Sequence, residues 1–214
     1  MISILMTPAA NTEEFEKRHK TFEQTLIEER EYLCAIVKND PMVEWFIEYC
    51  DKNSIKRILL PDLGFTVFVN ILAARASGDL IYYSTPFSSI DGLDKGWDQR
   101  VRNSIAKYRD GIYGCLLSDM PNNINCDSIL LPQRVFCALG YYTMPLFETH
   151  VYGARWNASI LTELKRLCNI PCGITYNKTP NQDGYELDRD MFDCTRRARL
   201  TACSRLEQFM EGSK

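Results

Sequence analysis

Histidine is scarce in this chain, with two residues in 214. No Cys-x-x-Cys pair occurs, and Cys168 and Cys172 are four apart. Together these absences argue against a zinc site, which draws its ligands from closely spaced cysteines and histidines. The glycine signatures of phosphate binding, G-x-G-x-x-G and G-x-x-x-x-G-K-S/T, are missing, as is the G-x-S-x-G nucleophile elbow. No excess of positive charge exists, because the formal net charge is −3; global electrostatics therefore give no case for nucleic acid or for an anionic membrane surface. No apolar run approaches the roughly 20 residues that span a bilayer. The longest, Gly64 to Ala76, is interrupted by Thr66 and Asn70. The opening MISILMTPAA has no basic region ahead of its short apolar stretch and makes a poor signal peptide.

Cysteine, by contrast, is plentiful, with nine residues. The number is odd and the chain is large, unlike a small disulfide scaffold. Cys34, Cys50, Cys115, Cys137 and Cys168 sit among apolar residues, where a free thiol behaves as a small hydrophobe. The expectation is reduced thiols in a cytoplasmic compartment, which makes the glycosylation patterns at Asn157 and Asn177 accidental.

Short apolar runs alternate with amphipathic stretches. Strands are expected at Ile2–Met6, Lys56–Leu60, Asp79–Ser84, Ile112–Leu117, Ser128–Leu131 and Cys172–Tyr176. Helices are expected over Thr12–Lys38, from Asp40-Pro41 through Cys50, and over Gly64–Ala76, Asp98–Tyr108, Ala154–Cys168 and Asp188–Met210. Strands separated by helices imply parallel pairing, and their unbroken apolar character implies a sheet covered on both faces. The fold expected is a Rossmann-like three-layer α/β sandwich with a mostly parallel sheet. It forms one domain over 1–214, with a helical extension from about residue 186. Thr85–Gly96 and Gly140–Gly153 read as irregular.

Ligands of open α/β sheets bind beyond the carboxyl ends of the strands. That rule selects Asp62, Ser84-Thr85, Asp119 and Pro132-Gln133, with Tyr141, Tyr142, Glu148, His150 and Tyr152 from the later loop. Asp62 doubles as a helix cap and Asp119 as a turn opener; Asp127, before a strand, reads as structural. His150, beside Glu148, is a loop imidazole open to tuning near neutral pH. His19 falls on the apolar stripe of the first helix and reads as a core histidine. Cys126, Cys137 or Cys172 would be a nucleophile only if the fold brought His150 to it. Arg196, Arg197, Arg199 and Arg205 form either a phosphate or nucleic-acid contact or a solvated helix face diluted by Asp188, Asp190, Asp193, Glu207 and Glu211.

The stretch Cys126-Asp127-Ser128-Ile129-Leu130-Leu131-Pro132, then Gly153-Ala154-Arg155, Thr162-Glu163-Leu164 and Asn169-Ile170-Pro171-Cys172-Gly173, resembles the nucleoside 2-deoxyribosyltransferase-like family. The likeness covers residues 126–173. It departs from the family where Met6-Thr7-Pro8-Ala9 replaces the N-terminal ribose or phosphate loop, and in the longer spacing from Pro132 to Gly153. The resemblance implies Glu163 as catalytic nucleophile, and the strand-end positions supply Asp119 or Asp62 as acid/base. Ser84, Tyr141, Tyr142, His150 and Arg155 would contact substrate, and a tyrosine would stack on a base. The leading expectation is an enzyme acting on a nucleotide, nucleoside or related small molecule by N-glycosidic cleavage or transfer, without cofactor or metal. The alternatives are a non-catalytic ligand- or protein-binding module, homo-oligomeric through the aromatics of 141–147, and a nucleic-acid-associated protein using Arg196, Arg197 and Arg199.

Overall fold

A computed structural model describes residues 1–8, 11–86, 88–117, 129–147, 150–176 and 185–212. Its elements are β1 (Ile2–Met6), α1 (Thr12–Thr25), β2 (Arg30–Val37), α2 (Val43–Lys52), β3 (Lys56–Leu60), α3 (Phe65–Arg75), β4 (Leu80–Ser84), β5 (Ser88–Ser89), α4 (Trp97–Ile105), β6 (Gly114–Leu116), β7 (Leu130–Pro132), α5 (Gln133–Leu139), α6 (His150–Glu163), β8 (Leu167–Asn169), β9 (Thr175–Tyr176), α7 (Tyr185–Cys194) and α8 (Arg196–Glu211). Seven strands form one sheet in the order β3-β2-β1-β4-β7-β6-β8; β5 and β9 make a separate two-stranded ribbon. All pairings of the large sheet are parallel except those of β7, which runs against both β4 and β6.

Alternate residues of each central strand face opposite layers. Leu5, Leu33, Ala35, Ile81 and Tyr83 meet α3, α5, α6 and α8. Ile4, Met6, Cys34, Ile36 and Tyr82 meet α1, α2 and α4. Covered faces explain why β1, β4 and most of β2 are buried without alternation. The expected three-layer α/β architecture is the observed one. Among the described residues no helix is long and apolar enough to cross a membrane.

Several elements differ from expectation. The helix foreseen over Thr12–Lys38 ends at Thr25, and β2 follows. Leu33 matched the helical stripe of α1, but Tyr32 to Ile36 are all buried, which a surface helix cannot do and a strand between β1 and β3 can. Buried Asp98 fixes the turn by accepting the backbone N–H of Ile27 (2.8 Å) and Glu28 (2.6 Å).

The helix expected to reach Cys168 is α6, which starts at His150 and stops at Glu163 because Lys165 takes a left-handed conformation at φ 55°. Cys168 lies instead in β8, and the strand expected at Cys172–Tyr176 is only the short β9 of the ribbon. The single C-terminal helix is two. At Thr195 the hydroxyl donates to the carbonyls of Met191 (2.7 Å) and Phe192 (3.1 Å), a local bond that competes with helix continuation. Helix α5 was not foreseen; Pro132 precedes it and Gly140, at φ 83°, ends it.

Candidate active site crevice

Strand order sets the site. The chain passes from β1 outward to β2 and β3, then returns to β4 on the other side of β1. Crossovers leaving in opposite directions open a crevice beyond the carboxyl ends of β1 and β4, the usual ligand position in such sheets. Met6 and Ser84 are register partners, so both strands end level there. Met6 also pairs with Cys34, which leaves Ala35, Ile36 and Val37 of β2, paired to β3, projecting beyond β1 as one wall. The β5–β9 ribbon follows β4 and β8 at the same edge. Its loops approach closely: Gly173 sits at φ 81°, and a side chain there would collide with the Gly92 carbonyl.

The floor is polar. Partly exposed Thr7 lies with its hydroxyl 2.9 Å from that of Tyr83. Ser84 and Thr85 are buried. Above them runs α1, capped by Asn11, whose side chain accepts the Glu14 N–H at 2.8 Å. One turn further in, Arg18 is 2% exposed. Its guanidinium donates to the Ser84 hydroxyl (3.3 Å), to the Thr85 carbonyl and to the Glu14 carboxylate (3.0 Å), while Nε has no partner among the described residues. A buried cation is tolerated only when paired and hydrogen-bonded, and Glu14, itself 40% exposed, is its one salt-bridge partner among the described residues. Lys17, adjacent in α1, reaches Asp91 after β5 (2.7 Å) and ties the helix to the ribbon. The crevice thus offers hydroxyls and a fixed positive charge, a set suited to an anionic, hydroxyl-bearing ligand.

The residues foreseen from sequence are scattered by the fold. Ser84 lies on the floor. Asp62 is exposed in the turn after β3, its carboxylate 3.4 Å from the Gly64 N–H, a weak local contact rather than the helix cap expected. Asp119, Asp127 and Glu148 lie outside the described residues, and His150 is placed only as the first residue of α6. Glu163 is exposed at the end of α6, immediately before β8. Since β8 runs parallel to β6, and β7 is antiparallel to both β6 and β4, that position is the amino edge of the sheet, away from the crevice. The same reversal moves Gln133 to the amino edge, where its N–H bonds the Asp79 carbonyl at 2.9 Å.

Tyr142, expected to stack on a base, is buried, its hydroxyl accepting the Tyr83 N–H (3.1 Å) and donating to the Ile129 carbonyl. Tyr141 accepts the Trp156 indole N–H at 3.0 Å. Tyr152 and Phe147 are interior as well, so the aromatics of 141–147 do not form the exposed interface patch anticipated. Arg155 lies over the rings of Tyr152 (5.6 Å) and Phe192 (5.1 Å). Arg199 stacks 4.0 Å over Phe192 and 5.6 Å over Trp156 and donates to the Phe192 carbonyl, holding α8 to α6 and α7. Arg196 and Arg197 are exposed, so the expected basic patch loses its third member to packing. His19 is the core histidine foreseen: Nδ1 is 3.1 Å from the Tyr49 hydroxyl, and burial lowers its pKa.

The Arg18 cluster was missed because Arg18 occupies a helical position whose burial no local pattern announces. A cavity of about 730 Å³ lies between Lys107, Asp110, Arg166 and Glu207 at the amino edge, the end opposite the usual ligand position in such sheets; Arg166 and Asp110 pair there at 2.9 Å.

No family model matches this chain, and no curated protein does. Solved structures do. The fold is similar to that of a mannosyltransferase from Pyrobaculum calidifontis in complex with GDP-Man and Mn2+ (7% identity, TM-score 0.66, 94% of this chain and 64% of that one). It is similar to S. aureus TarS 1–349 in complex with UDP-GlcNAc (10% identity, TM-score 0.59, 86% and 60%). It is also similar to glucosyl-3-phosphoglycerate synthase from Mycobacterium tuberculosis in complex with Mn2+, UDP and glucosyl-3-phosphoglycerate (9% identity, TM-score 0.57, 95% and 80%). This chain thus spans less than two thirds of the first two. At these identities the likeness is one of fold.

Proposed function

We propose that this chain binds a nucleoside diphosphate sugar in the β1–β4 crevice and acts in glycosyl transfer. The observation that carries the reading is the strand-order reversal between β1 and β4, which sets Thr7, Ser84, Thr85 and the Arg18 guanidinium around one crevice. Hydroxyls there suit ribose and sugar, and a fixed cation suits the diphosphate, whose terminal phosphate gains a negative charge as the sugar C–O bond breaks and needs positive charge near the leaving oxygens. The fold shared with proteins solved with GDP-Man, UDP-GlcNAc and UDP supports the same reading. Transfer from a diphosphate donor keeps the expected enzyme acting on a nucleotide-related molecule, but it breaks a C–O bond to phosphate in place of the expected N-glycosidic bond and uses a different site. It leaves Glu163 without a part, because that carboxylate stands at the opposite edge of the sheet.

The test is calorimetric titration of the protein with UDP, GDP, UDP-GlcNAc and GDP-Man. Binding of at least one is expected, and Thr7→Val, which removes one partly exposed hydroxyl while conserving shape, should weaken it by about 1 kcal/mol, roughly fivefold. Absence of binding by all four ends the reading.

A further inference from the structure

Two of the fold relatives were solved with Mn2+. A divalent cation of this kind is held by oxygen or nitrogen ligands, carboxylates foremost. The described residues of the crevice do not fit it. Among the described residues, no three His, Cys, Asp or Glu side chains converge to hold a metal ion. Strand β4 ends in Ser84 and Thr85, with Pro86 following, where carboxylates would be needed. Glu14, the carboxylate beside them, is engaged by Arg18 at 3.0 Å. The guanidinium itself lies against the strand end and would repel a divalent cation across a few ångströms of low-dielectric protein.

We propose that the crevice at the carboxyl ends of β1 and β4 binds a nucleoside diphosphate without a divalent cation, the buried Arg18 guanidinium supplying the positive charge that a metal would otherwise bring. The inference rests on the nucleotide reading above and deepens it. Arg18 is anchored through Ser84 and Thr85, so its charge is positioned before any ligand arrives. Its Nε–H is buried with no acceptor among the described residues, an unfavourable state that a ligand oxygen would relieve. The planar donor fork of a guanidinium matches phosphate oxygens better than an ammonium does. Glu14, bound to the same guanidinium and 40% exposed, competes with the incoming anion.

The experiment titrates UDP and GDP into the full-length protein with EDTA and, separately, with saturating Mn2+. Electron paramagnetic resonance of Mn2+ alone reports whether free ion is depleted by the protein. The expected result is a dissociation constant equal within about twofold in the two conditions, with no Mn2+ taken up by the protein alone. Glu14→Gln keeps a hydrogen-bonding oxygen on the Arg18 guanidinium while removing its charged partner, and, with the melting temperature checking that the fold survives, it should tighten binding about threefold or more by removing the competing anion. Arg18→Lys should weaken it, with the melting temperature as a check on folding. A requirement for Mn2+ of tenfold or more overturns the inference and leaves the nucleotide reading standing. Unchanged or weaker binding by Glu14→Gln overturns the role given to Arg18. No binding in either condition overturns the nucleotide reading itself and the inference with it.

Discussion

The Tyr142 hydroxyl accepts the backbone N–H of Tyr83 at 3.1 Å and donates to the carbonyl of Ile129, bridging two antiparallel strands where their ladder stops. One side chain from the loop after α5 thereby satisfies groups that the short β7 leaves unpaired. Asn70 of α3 holds the same loop, accepting the N–H of Tyr142 (2.7 Å) and of Thr143 (2.9 Å). The loop is part of the core beneath the crevice and is not a mobile rim.

Tyr142→Phe keeps the ring and strands a buried donor and a buried acceptor. The expected loss is about 1–3 kcal/mol of stability, read as a lowered midpoint in urea with an unchanged slope. A midpoint equal to wild type would place the Tyr83 and Ile129 groups in contact with water.

Glu31 gathers the amino edge of the sheet. Its buried carboxylate accepts from the Ser3 hydroxyl (2.5 Å), Lys56 (2.6 Å), the Ser77 hydroxyl (2.8 Å) and the Gly78 N–H (3.2 Å). Burial acts to raise its pKa, but the bonds from Lys56, Ser3 and Ser77 outweigh burial and hold it at about 2. A folded-state pKa below the unfolded one means stability that is complete above the ordinary 4.5 and is lost as pH falls from there toward 2. Glu31→Gln should cost about 3 kcal/mol near neutral pH and flatten the acid limb of the stability curve. Some slope remains, because Asp79, held at about 2 by Arg102 and the N-terminal ammonium against burial, titrates in the same window. An acid limb identical in the variant and wild type would refute the assignment.

Cys115 and Cys168 are register partners on β6 and β8. A hydrogen bond from Cys115, assisted by the Tyr108 hydroxyl 3.6 Å away and by the charge of Lys107, outweighs burial and brings the Cys168 thiol down to about 6. Thiolate is the reactive form, so Cys168 should be alkylated by iodoacetamide at neutral pH ahead of exposed Cys137 and Cys194. Its rate should rise with pH through about 6, as peptide mass spectrometry of timed samples would show. Labelling that follows exposure alone would count against the pairing.

The class of the fold was legible because continuous apolar runs separated by amphipathic ones have few physical outcomes. Ile2–Met6 and Lys56–Leu60 are strands as expected, β4 lacks only the expected Asp79, and Phe65–Arg75 is the helix expected over Gly64–Ala76. The rule that ligands sit beyond carboxyl ends selected Ser84, and β4 does end at that residue. Elements whose signal is shared between two periods were not legible. β2 carries a helical spacing by coincidence and becomes a strand only because β1 and β3 flank it.

By itself, then, the sequence determined the layers and the burial of β1, β4 and His19, since these follow from local periodicity and side-chain chemistry. The tertiary structure alone decided which edge each residue occupies. The reversed direction of β7 sends Gln133 to the amino edge, where Glu163 also stands before β8, and the packing of α7 and α8 against α6 commits Arg155 and Arg199 to aromatic faces. It also drew Arg18 out of an ordinary helix face and buried it on Ser84 and Thr85. A buried charge is specified by what surrounds it in space, and those neighbours lie more than sixty residues away along the chain.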